Sequence, residues 1–329
     1  MNTNEQPPEI NTLIQEEGAR WSALKQEIGR TVVGQSGVIE RVLIGLLCNG
    51  HILLEGVPGL AKTTLIKTIS QAVGLSFSRI QFTPDLLPAD IIGTLIYNPK
   101  TQEFQTRKGP VFANLVLADE TNRAPAKVQA ALLEAMQEHQ VTIGDSTYPL
   151  EEPFLVLATQ NPIEQEGTYH LPEAQVDRFL FKVLISYPSY EEEVMVIDRV
   201  FTPQSPNEIL QTKHILKAQE LVKKIYIDEK LVKYILNIVF ATRTPEKFNL
   251  DSMSHMIEYG ASPRATLAIH HAARARACMR QRHFVIPDDI KAIAADVLRH
   301  RIIRTYEAEA ENITPEAIVK SILETIPSP

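Results

Sequence analysis

The sequence predicts an α/β fold, a mostly parallel sheet covered by helices, followed by a small all-helical domain. Three observations predict it. Short apolar runs with β character alternate with helical patterns between His51 and Ile185. A Gly-rich turn, Gly56 to Thr63, joins the first run to a helix. Beyond Pro206 the β signal is gone and the periodicity is helical. A chain of 329 residues has room for two domains, one with a substantial core.

Ile10, Leu13, Ile14, Trp21, Leu24 and Ile28 fall mostly on one helical face, so an amphipathic helix is expected to end near Gly29. Thr31-Val32-Val33-Gly34-Gln35 is a short apolar turn before a second helix, Val38 to Cys48. It could cover the face of an adenine or simply pack into the core.

The strand-like run His51-Ile52-Leu53-Leu54 leads into Gly56-Val57-Pro58-Gly59-Leu60-Ala61-Lys62-Thr63, with Thr64 and a helix from Leu65 to Val73 behind it. Strand, Gly-rich turn, then Lys-Thr opening a helix is the setting of a phosphate-binding loop. Turn amides and the helix N-terminus converge on anionic oxygens. Lys62 would add a point charge on the β- and γ-phosphates, and the Thr63 hydroxyl would ligate Mg²⁺. Ala61 stands where a second glycine is usual; a positive φ there would cost on the order of 1 kcal/mol.

Four more β-like runs follow: Phe77 to Phe82, Asn114 to Ala118, Phe154 to Thr159 and Phe179 to Ile185. Helical patterns, notably Ala126 to His139, separate several of them. Nucleotide chemistry then belongs at the carboxyl ends of the strands. Two segments interrupt the alternation. Gly93 to Tyr97 and Gln102 to Thr106 read as a hairpin, as do Gln140 to Ile143 and Thr147 to Leu150 around Gly144-Asp145-Ser146. Neither is needed to complete the sheet, which makes them insertions and candidate contact loops.

The strand ending Leu115-Val116-Leu117-Ala118 runs into Asp119-Glu120. Asp119 at a buried strand end suits Mg²⁺, held directly or through water, and Glu120 suits orienting or deprotonating an attacking water. Asn161, at the end of the next strand, could hydrogen-bond the γ-phosphate or that water.

Past Tyr187-Pro188 the β pattern fades, and Pro203, Ser205 and Pro206 mark a linker. Asp228, Ser262 and Thr314 read as helix caps, the last two followed by proline at the first helical position. The expected boundaries are an N-terminal helix over 1–30, an α/β core over 31–188, a linker over 189–206 and a helical domain over 207–329.

Hydrophobic residues make up 44% and charged residues 22%, an ordinary globular balance. The net charge of −7 and a pI near 5.8 argue against a dedicated nucleic-acid binder. Arg274, Arg276, Arg280 and Arg282 form one basic run within a helical pattern, expected as a solvated face. Cys48 and Cys278 form neither a disulfide framework nor a metal cluster, and no run approaches the roughly 20 apolar residues of a membrane span. The polar Met1 to Glu9 lacks the pattern of a signal peptide, so a cytoplasmic protein is expected.

The phosphate loop, acidic strand end and Asn161, with a helical domain behind them, resemble the AAA+ ATPases. The resemblance narrows to the MoxR family on five words: the loop Gly56 to Thr63, Ala118-Asp119-Glu120-Thr121-Asn122-Arg123-Ala124-Pro125, Thr159 to Tyr169, Leu171 to Phe179, and Gly260 to Ala265. It runs from about Val33 to Arg304. Ala61 is usual for that family, whereas Thr121 replaces a more common aliphatic residue.

The resemblance implies an AAA+ P-loop NTPase core with two β-hairpin inserts and a helical lid. It implies that Asn161 is sensor 1 and that Arg264 is sensor 2 within its own subunit; Val33 and Gly34, in the turn that could cover an adenine, stay candidates for nucleotide contact. Arg178 would be the arginine finger reaching a neighbour's γ-phosphate; from the residues alone it could equally pair with the adjacent Asp177. Guanidinium suits either role, meeting oxygens in a planar fork and keeping its charge. Arg123 is a further candidate to face a neighbour or its nucleotide, while Glu164, Glu166 and His170 read as loop-shaping residues. The implied assembly is a ring, expected to be a hexamer, acting on a protein client, often one with a von Willebrand A domain. Rival readings are a nucleic-acid motor, which would want basic or aromatic hairpin tips, and a slow nucleotide-switched scaffold.

Overall fold

The computed structural model describes residues 8–57, 59–162, 168–201 and 205–329. They form two compact units, one of Leu24–Gln175 and Val183–Leu216, the other of Met1–Ala23, Val176–Lys182 and Lys217–Pro329. From its start the chain runs through α1 (Pro8–Thr31), α2 (Ser36–Cys48), β1 (Ile52–Glu55), α3 (Lys62–Ala72), β2 (Phe77–Gln81), α4 (Pro88–Ile92), β3 (Gly93–Asn98) and β4 (Glu103–Lys108). It continues through β5 (Leu115–Asp119), α5 (Ala126–Glu138), β6 (Gln140–Ile143), β7 (Ser146–Pro149), β8 (Leu155–Gln160), α6 (Glu173–Val176), β9 (Phe181–Leu184) and α7 (Tyr190–Phe201).

Five strands form one sheet in the order β2-β5-β8-β1-β9, and the pairs β2–β5, β5–β8 and β8–β1 are parallel. Leu115 to Ala118 of β5 and Leu155 to Ala158 of β8 are all buried. Parallel strands covered on both faces need apolar residues at every position, which is why these two read as unbroken apolar runs. Edge strand β2 buries only Ile80 and carries Ser78, Arg79 and Gln81 besides. The register sets Gln81 opposite Asp119 and Glu55 opposite Gln160, so the carboxyl ends of β2, β5, β8 and β1 line one edge.

Both expected hairpins stand as separate two-stranded antiparallel sheets, β3–β4 and β6–β7. The second turns through Gly144 at φ 60°. The Thr106 and Tyr148 hydroxyls share a hydrogen bond of 2.8 Å, and Leu95 lies against Gly144, so the hairpins brace each other. Segment 189–206, read as a linker, carries helix α7. Its start is a capping box: Ser189 N donates to Glu192 Oε2 (2.9 Å) and Glu192 N to Ser189 Oγ (3.3 Å).

The second unit takes in α8 (Thr212–Lys223) from Lys217 on, α9 (Glu229–Ala241), β10 (Ile257–Tyr259), α10 (Pro263–Met279), α11 (Pro287–Leu298), β11 (Ile303–Arg304), α12 (Tyr306–Ala310) and α13 (Pro315–Thr325). The three expected caps are present: Asp228, Ser262 and Thr314 accept from the amides of Lys230, Arg264 and Ala317. Ala265, Ala272 and Ala273 of α10 are fully buried, small side chains that allow close helix packing.

The basic run is not a solvated face. Arg276 Nη1 donates to Asp289 Oδ1 (2.7 Å), and Arg282 makes two bonds of 2.7 and 2.8 Å to the same carboxylate, which is fully buried. Asp289 Oδ2 also caps α11 by accepting from Ile286 N (3.0 Å). A carboxylate drawn inward to cap a helix needs charged partners, and that need turns two of the four arginines into the unit. Arg280 stays exposed.

Candidate functional site

The phosphate loop begins where β1 ends. Gly56 N donates to Gln160 O (3.2 Å), and a Cβ on Gly56 would stand 2.8 Å from Ile185 O, so only glycine permits that approach. Gly59 takes φ +87°. Ala61 takes φ 52°, ψ 26°, a left-handed conformation that costs a residue with a Cβ roughly 1–2 kcal/mol. Ala61 is also the N-cap of α3 and offers no capping side chain. The first-turn amides of Lys62, Thr63 and Thr64 are therefore available to an anion. Leu60 is buried, and Pro58 lies outside the described residues.

Lys62 Nζ donates to Gly56 O at 2.5 Å. Burial of the amine lowers its pKa from the usual lysine value, while Asp119, Glu120 and Glu55 pull it back up. Three carboxylates thus act on one half-buried ammonium.

Asp119 and Glu120 are held by a hydroxyl. Thr159 Oγ1, almost fully buried on β8, donates to Asp119 Oδ1 (2.7 Å) and accepts from Glu120 N (2.8 Å). On the other side Arg79 meets Asp119 Oδ2 with Nη2 (2.7 Å) and Nε (3.2 Å). Glu120 Oε2 accepts from Gln81 Nε2 (2.8 Å) and pairs with Arg123 Nε (3.0 Å). Arg123, a candidate to face a neighbour, thus turns to Glu120 of its own chain. Glu120 itself is left-handed, φ 56°, ψ 49°, a strained backbone of the kind that gathers at functional sites. Asn161 is buried at the end of β8, beside this group in the strand order.

Turn 33–35 is tied to the phosphate loop: Gln35 Nε2 donates to Leu60 O (2.9 Å). Val33 is half-buried, and Gly34, at φ +66°, has the Glu192 carboxylate where a Cβ would go (2.6 Å).

Arg178 and Arg264 belong to the helical unit and both are exposed. Arg264 opens α10, where the helix dipole disfavours its charge. Its Nη1 lies 3.5 Å from Asp177 Oδ2. Ser262 Oγ reaches the same carboxylate at 2.9 Å, and Arg301 Nε donates to its Oδ1 (2.8 Å). Burial lowers the Arg301 pKa to about 10, opposed by Asp177, so its guanidinium keeps its charge at neutral pH. Glu164 and Glu166 lie outside the described residues, and His170 is exposed.

Residues 51–181 match the ATPase family associated with various cellular activities (AAA), and residues 252–322 match the AAA lid domain. The chain is 53% identical over 304 residues to Chaperone MoxR1 of Mycobacterium tuberculosis, covering 92% of this chain and 81% of that one. The chain belongs to the MoxR family of AAA+ ATPases. Protein MoxR of Paracoccus denitrificans is 30% identical over 94% of this chain and 97% of its own. A crystal structure of a Cytophaga hutchinsonii protein superposes with a TM-score of 0.91 at 50% identity, over 98% of this chain and 97% of the other. The fold is therefore an AAA+ core with a helical lid, as its sequence predicts.

In this MoxR-family chain the donor set fits nucleotide with Mg²⁺. Among the described residues no cluster of three or more His, Cys, Asp or Glu gathers as a metal site. Mg²⁺ bound with phosphate needs none, because it keeps several waters and takes one or two protein oxygens. Thr63 and Asp119 carry oxygen donors of that kind. Sequence reasoning missed Arg79, Gln81, Thr159 and Arg301, and named Asp177 only as an alternative partner of Arg178. The one signal available was polar Arg79 and Gln81 in an otherwise strand-like run, on a strand whose neighbour the sequence does not name.

Proposed function

We propose that this MoxR-family protein binds ATP with Mg²⁺ and hydrolyses it to remodel a protein client. Gly56, Pro58, Gly59, Leu60, Ala61, Lys62, Thr63 and Thr64 hold the phosphates, and Val33 and Gly34 lie at the adenosine. Thr63 and Asp119 hold Mg²⁺, which when bound offsets negative charge on the phosphates. Lys62 exchanges the Gly56 carbonyl for phosphate oxygens. Glu120 orients or deprotonates water, with Gln81 and Arg123 on Oε2 leaving Oε1 to meet it. Asn161 acts as sensor 1, Arg264 as sensor 2, and Arg178 as the finger for the next subunit in a ring, expected to be a hexamer.

The observation that carries this reading is the Asp119–Thr159–Glu120 network at the end of β5, whose two carboxylates act on the Lys62 ammonium. The test is steady-state ATP hydrolysis with Lys62→Ala and Glu120→Gln. The wild type turns over, Lys62→Ala loses ATP binding, and Glu120→Gln keeps binding but hydrolyses at about 1% or less of the wild-type rate. Wild-type turnover by Glu120→Gln would refute the assignment.

A polypeptide client, a von Willebrand A domain among the candidates, is favoured over nucleic acid by the net charge of −7 and by Asp145, exposed at the tip of the second hairpin. The first hairpin exposes Leu95 and Ile96, apolar side chains that a polypeptide can cover, beside the Tyr97 and Phe104 rings, 5.4 Å apart. Lys108, one cation available for a phosphate track, instead lies over the Phe112 and Tyr148 rings at 4.8 and 5.6 Å. Salt-sensitive stimulation of hydrolysis by DNA would reverse this choice. Among the described residues no helix is long and apolar enough to cross a membrane. The two free cysteines suit a reducing compartment such as the cytoplasm.

A further inference from the structure

Arg301 is a buried guanidinium that the proposed chemistry does not use, and its donors converge on one short segment. Nε donates to Asp177 Oδ1 (2.8 Å), Nη2 to the carbonyls of Asp177 (2.9 Å) and Phe179 (2.6 Å), and Nη1 to those of Leu180 (3.3 Å) and Val297 (2.5 Å). One side chain at the end of α11 thus grips the backbone on both sides of Arg178. Phe179 O takes a second bond from His300 Nε2 (3.1 Å). Burial holds His300 well below its usual pKa, so it is neutral, and because a carbonyl only accepts, Nε2 is the protonated nitrogen. Around this anchored stretch Phe179 and Leu180 are buried, whereas Arg178 is exposed.

The Asp177 carboxylate has a second set of partners at the start of α10. Ser262 Oγ bonds both of its oxygens (2.9 and 3.1 Å), and Arg264 Nη1 approaches Oδ2 at 3.5 Å. The Ser262 contact is short and buried in part, while the Arg264 contact is long and open to solvent. A long charge contact is the one that a more highly charged anion would capture first.

We propose that Arg301 and Asp177 are positioning residues: Arg301 sets Arg178 for the neighbouring subunit, and Asp177 links that setting to the nucleotide in its own subunit by competing with the γ-phosphate for Arg264. The inference rests on the roles given above to Arg178 and Arg264. It makes the segment 177–180 the joint through which one subunit's nucleotide state reaches the next site. A lysine at 301 would keep the charge but could not span a carboxylate and four carbonyls at once.

The test mixes two inactive subunits. Glu120→Gln subunits keep Arg178 and donate it; Arg178→Ala subunits keep a complete site and receive it. Mixing restores hydrolysis. Arg301→Lys placed in the donor lowers the restored activity by about tenfold, whereas in the acceptor, which has no Arg178 to set, it changes it by less than about twofold. A merely structural role would lower both alike. Separately, Asp177→Asn tightens ATP binding by about threefold and leaves ADP unchanged, and the gain vanishes in Arg264→Ala.

If the unmodified mixture restores nothing, the shared site fails and this inference falls with it. If the mixture works but Arg301→Lys acts equally in both subunits or in neither, the shared site stands and the positioning role is refuted. An equal effect of Asp177→Asn on ATP and ADP, or one that persists without Arg264, refutes the link.

Discussion

Thr159→Val removes one buried hydroxyl and keeps the shape of the side chain. Two bonds are lost together. The first, to the ionised Asp119 carboxylate, is worth about 1.5–3 kcal/mol, and the second, from the Glu120 amide, about 1 kcal/mol. Part is recovered because a methyl is cheaper to bury than a hydroxyl, leaving a net loss of about 2 kcal/mol. The functional loss should be larger than the stability loss suggests. The Glu120 amide anchors a left-handed residue, and without that bond the carboxylate loses the position its proposed role needs. A misplacement of about 1 Å in a reacting group costs on the order of 100-fold. The assay is paired: denaturant midpoint for stability, and kcat at saturating ATP. Thr159→Val should fall in both, and Thr159→Ser should recover most of kcat. A Thr159→Val protein with kcat within twofold of wild type would refute the claim that this hydroxyl sets both acids.

Gln81→Leu takes one donor from Glu120 Oε2 and leaves Arg123 in place. The expected result is a kcat lowered by about fivefold with KM unchanged, since about 1 kcal/mol of orientation is lost and no substrate contact. Asp289→Asn strips the charge that two arginines share within the helical unit. It should destabilise that unit by about 3 kcal/mol, near the low end for a buried pair because Arg276 and Arg282 keep some solvent access. Asp289 touches no proposed nucleotide group, so ATP affinity should stay within about twofold wherever the chain is folded, as read by calorimetric titration.

What the sequence revealed was local, and what it hid was lateral. Gly56 to Thr63 declares itself because its chemistry is contiguous, whereas the left-handed backbone of Ala61 is settled only by the folded turn. Asp119 and Glu120 are visible because the strand before them is so apolar. Arg79, Gln81 and Thr159 are not, because their importance depends on β2 and β8 flanking β5, and strand order is a tertiary fact. Thr159 looked like an ordinary β-branched strand residue. Arg276 on α10 and Arg282 just beyond it misled for a similar reason: their partner Asp289 lies on the next helix, and a run of cations flanked by alanines looks solvated until that partner is placed. Helix α7 was passed over because Tyr187-Pro188 ended one pattern just before the capping pair Ser189 and Glu192 began another.

The central claim is a nucleotide site completed by the next subunit. The most direct measurement is ATP hydrolysis per subunit against protein concentration, repeated as Arg178→Ala is added to wild type. The account predicts that specific activity rises with concentration and that a minor fraction of Arg178→Ala depresses it by more than its share. Flat specific activity, with Arg178→Ala as active as wild type, would contradict it and leave a site that works within one chain.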